Sequence, residues 1–230
     1  MIKKKIFIAC DTTNLNFIKK IIEKSQTKKL DIGYKFGLEF FNSKKGRSFL
    51  YKIKNKKIWL DLKLFDIPNT VYSSVIALKD LKNIKYITVH ASGGLEMMRA
   101  AKKAAKKINK KIKVLGVTIL TSFSNKSLRK TGHTKSIKKI VELQAKLIRS
   151  AGLDGVICSG HEAKTIKKIY RNFEIITPGI RFGGDKKQDQ KRIMTPNQAF
   201  KNGATAIVIG RSITKGNIKN NLQKLIKLLN

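Results

Sequence analysis

The 230-residue chain is 41% hydrophobic and 7% aromatic along its whole length, which supplies a sizeable core and excludes a disordered chain. Its 51 Lys and Arg against 14 Asp and Glu give a formal net charge of +37, but 43 of these cations are Lys and only 8 are Arg. Surfaces that read phosphates or bases favour the planar arginine fork, so specific nucleic-acid binding is not expected, nor is a membrane span, since no run of 18 or more apolar residues occurs.

The first apolar, β-branched run is KIFIAC (5–10), preceded by a basic start too short in apolar residues for a signal peptide. The expected location is therefore the cytoplasm. A helical pattern at 14–24 carries Leu15, Ile18, Ile21 and Ile22 on one stripe. Strand-like runs follow at 31–36 (DIGYKF), 57–62 (KIWLDL), 85–90 (KYITVH) and 113–119 (KVLGVTI). Lysine fills the solvent-facing positions of AAKKAAKKINKKIKV between the last two. A second helical stripe at 137–150 uses Ile140, Val141, Leu143, Leu147 and Ile148. Three more strand-like runs come at 154–158, 173–177 and 205–209, and NIKNNLQKLIKLL closes the chain with Ile218, Leu222, Leu225, Ile226 and Leu229 on one face.

Eight short apolar runs alternating with helical segments predict an α/β chain, a (β/α)8 TIM barrel in a single domain over 1–230. A doubly wound open sheet is the alternative, but ACDTTNLN after the first strand is no glycine-rich fingerprint. Cys10 and Cys158 sit inside apolar runs and read as buried small hydrophobes.

In such a barrel, functional residues belong at the C-terminal strand ends and the loops after them. Those positions hold Asp11, Lys35, Asp61 with Lys63, His90, Thr121 with Ser122, Ser159 and Arg211. Asp61 and Lys63 lie two apart, so an extended segment points both the same way. Asp66 follows beyond the strand, where Pro68 forces an extended or turning path at Ile67. The alternative for an isolated D-x-K is an ion pair that merely ties strands together. Against it stand the strand-end position, the neighbouring Lys35 and Asp11, and the scarcity of acids elsewhere.

A second constellation has the shape of a phosphate site. After the seventh strand, TPGIRFGGDKKQDQKRIMTP supplies Gly179, Arg181, Gly183, Gly184 and Gln190; after the eighth, IGRSIT supplies Gly210 and Arg211. Glycine N–H groups approach an anion closely and arginine binds it bidentately. Loop 181–190 is also a candidate lid. His133 and His161 lie in polar loops without ligand spacing, and no zinc or calcium pattern occurs.

DLKLFDIPNTV (61–71) resembles the D-x-K-x-x-D-I-P-N-T signature of the orotidine 5′-phosphate decarboxylase family. VTILTS, GLDGVICS, TPGIR, DQKRIMTP and VIGRSIT follow in the family's order, so the resemblance covers nearly the whole chain. The shorter D-x-K-x-x-D also occurs in related barrels such as hexulose-phosphate synthases, which need a divalent metal. Phe65 stands where bacterial relatives often have histidine, a change that touches no known chemistry.

The resemblance implies cofactor-free, metal-free conversion of a nucleotide substrate, orotidine 5′-phosphate, to uridine 5′-monophosphate in pyrimidine biosynthesis. It implies that Asp61, Lys63, Asp66 and Lys35 form the catalytic array, with Lys63 protonating C6. Asp11 and Lys35 would contact the ribose and Thr121 the pyrimidine, while Ile67, Pro68, Asn69 and Thr70 belong to the substrate-contacting segment. In a homodimer, Asp66, Ile67 and Thr70 would reach into the partner subunit's site. Arg181, Gln190, Gly210 and Arg211 would hold the phosphate and its closing loop.

Overall fold

The computed structural model describes residues 3–185 and 192–229. Its chain order is β1 (Lys5–Ala9), α1 (Leu15–Lys24), β2 (Asp31–Gly37), α2 (Leu38–Phe41), α3 (Gly46–Lys52), β3 (Lys57–Leu64), α4 (Pro68–Ile76), β4 (Ile84–His90), α5 (Gly94–Ile108) and β5 (Lys113–Val117). It continues with α6 (Asn125–Arg129), α7 (Ile137–Ser150), β6 (Gly155–Ile157), α8 (Gly160–Ile169), β7 (Glu174–Ile180), α9 (Pro196–Lys201), β8 (Ala206–Ile209), α10 (Arg211–Thr214) and α11 (Ile218–Leu229). The strands pair in sequence order, all parallel, and β8 closes on β1, so the expected (β/α)8 barrel is the fold.

The helices form where apolar residues recur at helical spacing, and side chains cap them. Asn14 accepts from the Phe17 N–H at the start of α1, and Ser136 accepts from the Lys139 N–H at the start of α7. Helix α7 buries Ile137, Ile140, Val141, Ala145 and Ile148 against the barrel, and α11 buries Ile218, Leu222, Leu225, Ile226 and Leu229. Their lysines face outward. Both apolar faces of the strands are thus used: one set packs under the helices and the alternate set fills the barrel.

The barrel interior is layered by strand alternation. At the N-terminal end, the Glu174 carboxylate accepts from Lys5 (2.5 Å), Lys113 (2.6 Å) and the Tyr86 hydroxyl (2.8 Å). Burial opposes the charge on Glu174, but its two lysines outweigh burial and hold the carboxyl below its ordinary value. The next layer is aromatic: the Phe7 ring meets Trp59 edge-on at 4.9 Å and Tyr86 at 5.0 Å. A Cβ on Gly33 of β2 would lie 2.6 Å from the Phe7 ring, so glycine there leaves room for this plug. Above it the inward positions turn small or polar, and the barrel opens.

Candidate active site

A cavity of about 620 Å³ occupies the C-terminal mouth of the barrel, well within the range of small-molecule sites. Trp59 lines it together with Asp11, Lys35, Asp61 and Lys63; Ile119, Leu120, Thr121 and Ser122 form one wall. Gly179, Arg181, Gly210, Arg211 and Thr214 line the end toward β7 and β8.

The charged groups are joined through Asp61. Its Oδ2 accepts from the Lys63 ammonium at 2.8 Å and lies 3.2 Å from the Lys35 ammonium, which also reaches Asp11 Oδ1 at 3.2 Å. Its Oδ1 accepts from the Thr88 hydroxyl at 3.0 Å. Burial alone would raise the Asp61 carboxyl, but Lys35, Lys63 and Thr88 outweigh it and hold it below the ordinary carboxylate range. Burial opposes charge on Lys35 as well, and there Asp61 and Asp11 win, so the ammonium is held above its ordinary value. His90, ending β4, is pushed down first by burial and then by the Lys63 charge; its Nδ1 accepts from the Ser92 N–H at 3.3 Å.

Lys63 does not reach Asp61 by simple strand alternation. Its backbone is left-handed, with φ 47°, and the pairing of β3 with β4 slips between Leu60 and Leu64. The slip is a bulge, which re-aims the side chain. Thr88 holds it: the same hydroxyl that donates to Asp61 accepts from the Lys63 N–H at 2.9 Å. Thr88 is the residue the sequence reading missed. Its signal was parity, because Tyr86, Thr88 and His90 share the inward face of β4 and Thr88 is the polar residue within an apolar run.

Asp11, Lys35, Asp61, Lys63, Thr121, Arg181, Gly210 and Arg211 therefore surround one space. Arg181 is buried, whereas Arg211 is exposed at the first position of α10. Asp66, Ile67, Pro68, Asn69 and Thr70 do not join them: all five are exposed, none lines the cavity, and Asp66 Oδ1 accepts from its neighbour's Ile67 N–H at 2.7 Å. Gln190 lies outside the described residues, as does half of the predicted lid, residues 186–190. Both cysteines are buried, which pushes their thiols up; Cys158 contributes to the cavity wall. No helix is long and apolar enough to cross a membrane among the described residues.

Among known proteins, an orotidine 5′-phosphate decarboxylase from Fusobacterium nucleatum subsp. nucleatum is 42% identical over 229 residues, 98% of this chain and 95% of its own. Another, from Wolbachia sp. subsp. Brugia malayi, is 44% identical over 227 residues, 96% of each chain. The crystal structure of orotidine 5′-phosphate decarboxylase from Lactobacillus acidophilus superposes with a TM-score of 0.84 at 35% identity, covering 99% of this chain and 100% of that one. The profile described as orotidine 5′-phosphate decarboxylase / HUMPS matches residues 4–224. With that match over nearly its whole length, on a barrel whose mouth carries a lysine–carboxylate array facing two arginines, the chain belongs to the orotidine 5′-phosphate decarboxylase / HUMPS family.

Proposed function

We propose that this protein converts orotidine 5′-phosphate to uridine 5′-monophosphate and CO2, a step of pyrimidine biosynthesis, without a cofactor. The observation that carries this reading is the single carboxylate oxygen of Asp61 that holds Lys63 at 2.8 Å and Lys35 at 3.2 Å, across the cavity from Arg181 and Arg211. Breaking the C6–carboxylate bond leaves an electron pair on C6 with no conjugated sink. A fixed cation beside C6 stabilises that pair more than it stabilises the substrate, which is where catalysis comes from. Lys63 is that cation. As the bond breaks it gives its proton to C6, becoming a neutral amine that solvent reprotonates. Asp61 supplies the counter-charge that keeps an ammonium there beforehand, and Lys35 with Asp11 fixes the ribose. Thr121 contacts the pyrimidine, while Arg181, Gln190, Gly210 and Arg211 take the phosphate, whose binding energy orients the base.

Asp66 belongs to the site of a second subunit in this reading. Ile67 (67%) and Phe65 (64%), which flank it, are the most exposed large apolar side chains of the described residues. Packing them against another copy would bury that surface and carry Asp66, Ile67 and Thr70 toward the neighbour's cavity.

The test follows loss of orotidine 5′-phosphate absorbance with EDTA present, for the unaltered protein and for Lys63→Ala. We expect full activity with the chelator and a loss of at least about 1000-fold in the variant. Activity abolished by EDTA points instead to a metal-dependent phosphosugar reaction on the same barrel. Activity intact in Lys63→Ala removes the proposed proton donor.

A further inference from the structure

Arg192 brings the chain back from the loop after β7 and is nearly buried, with 15% of its side chain exposed. Its Nη1 donates to Glu162 Oε1 at 2.5 Å, in the first turn of α8. Its Nη2 donates to the carbonyl oxygens of Ile119 at 3.3 Å and Leu120 at 3.4 Å. Those two residues line the cavity immediately before Thr121. Two residues further on, Met194 is pinned to the end of β7. The Arg181 N–H donates to the Met194 carbonyl at 3.1 Å, and the Met194 N–H donates to the Gly179 carbonyl at 3.2 Å. The Arg192 side chain thus ties the wall after β5 to the start of α8, and the backbone of Met194, two residues on, joins the same segment to Gly179 and Arg181.

Stability is a poor reason for this arrangement. Desolvating a buried ion pair offsets most of its Coulombic gain. The pair is also one-armed, since Glu162 Oε2 and Arg192 Nε are buried and meet no partner among the described residues. A guanidinium can offer a carboxylate two parallel bonds; here its second nitrogen is turned to the carbonyls of the cavity wall. What the arrangement supplies is geometry.

We infer that Arg192 is a positioning residue that fixes the wall at Ile119–Thr121 relative to Arg181, so that phosphate binding is converted into placement of C6 beside Lys63. The inference rests on the proposed decarboxylase reading. It assigns Arg192 no contact with substrate: the side chain acts through the two carbonyls.

The test compares orotidine 5′-phosphate with orotidine, which lacks the phosphate, using Arg192→Met and Arg192→Lys. Misplacing a reacting group by about 1 Å costs on the order of 100-fold, so Arg192→Met should lose about 100-fold in kcat on the phosphorylated substrate with KM changed less than about threefold. On orotidine, where no phosphate binding is available to transmit, kcat/KM should stay within about threefold of the unaltered protein. Arg192→Lys keeps a charge for Glu162 but not the fork for both carbonyls, and should share most of the kcat loss; it decides the matter if Arg192→Met does not fold. Equal losses on both substrates, a raised KM with unchanged kcat, or undiminished kcat in Arg192→Lys each overturn the inference alone. An unaltered protein inert toward orotidine 5′-phosphate overturns the decarboxylase reading and this inference with it.

Discussion

Replacing Asp61 by Asn keeps the side chain's shape and an acceptor for Thr88 but removes the one charge that two lysines share. At an effective dielectric of about 20, unit charges about 3 Å apart attract by roughly 5 kcal/mol, and Asp61 has Lys63 at 2.8 Å and Lys35 at 3.2 Å. Rehydration in the unfolded chain returns much of this, leaving a net cost of about 3 kcal/mol for removing one member of a buried array. The sign of the pH dependence separates this account from simple damage. In the unaltered protein Lys35 is held above the ordinary 10.5, so its contribution is fully present below that pH and is lost as pH rises through the folded value. In Asp61→Asn, Lys35 keeps only Asp11, more than half exposed, against its burial and the nearby Lys63 ammonium. Its folded value then falls below 10.5, the unfolded chain binds more protons, and stability rises with pH over that window. Urea unfolding from about pH 7 to about pH 10 should therefore show a gap of about 3 kcal/mol between the two proteins that narrows as pH rises. A gap that does not change with pH would refute the coupling of Lys35 to Asp61, whatever happens to activity. Activity should fall by at least about 100-fold, because Lys63 loses its counter-charge and its position.

Mixing inactive Lys63→Ala with inactive Asp66→Ala should restore part of the decarboxylase activity once subunits exchange, since some mixed dimers carry one intact site; exchange shown by a size or tag assay without recovery argues against a shared site. At the other end of the barrel, Glu174 has a lowered carboxyl, so its stabilisation is present above the ordinary 4.5 and is lost as pH falls through the folded value. Glu174→Gln should cost about 2 kcal/mol at neutral pH, less than a fully buried pair because Lys113 is 46% exposed, and the difference from the unaltered protein should vanish in acid melts.

Periodicity carried most of the fold. The stripe read at 137–150 is α7 from Ile137 to Ser150, and the stripes near the two ends of the chain are α1 and α11. The strand-like runs lie within a few residues of the eight observed strands, because buried parallel strands leave continuous apolar runs that pattern reading detects. The arginines and glycines after β7 and β8 were equally plain, since barrel topology alone sends those loops to one mouth. The local path at Lys63 was not legible. Alternation puts Lys63 on the same side as Asp61, yet the observed contact depends on a left-handed residue in a bulge that a hydroxyl from the neighbouring strand stabilises. No pattern within residues 57–64 encodes the position of Thr88, 25 residues away. The placement of Asp66 differs for another reason: it lies past the end of β3 and faces solvent, outside the cavity that the strand ends enclose.

The barrel contains the same charge motif twice, and the contrast shows what makes one of them a site. At the N-terminal end Glu174 joins Lys5 and Lys113, with the Tyr86 hydroxyl as a further donor; at the mouth Asp61 joins Lys35 and Lys63, with the Thr88 hydroxyl as a further donor. Each places one carboxylate between two lysines and a hydroxyl, and the upper cluster adds Asp11 on Lys35. The lower cluster is capped by the Phe7, Trp59 and Tyr86 rings, which fill the space a ligand would need. Its lysines can therefore only neutralise the carboxylate. The upper cluster borders about 620 Å³ of open cavity, and Lys63, in the bulge, has a side chain one-third exposed while its ammonium stays bonded to Asp61. A cation held by one carboxylate yet still facing empty space can interact with charge that develops in a bound molecule, which the filled cluster cannot do. Lysine exposure alone is not the difference, since Lys113 of the lower cluster is 46% exposed; what sets the upper cluster apart is that Lys63, turned by the bulge that Thr88 holds, borders the cavity.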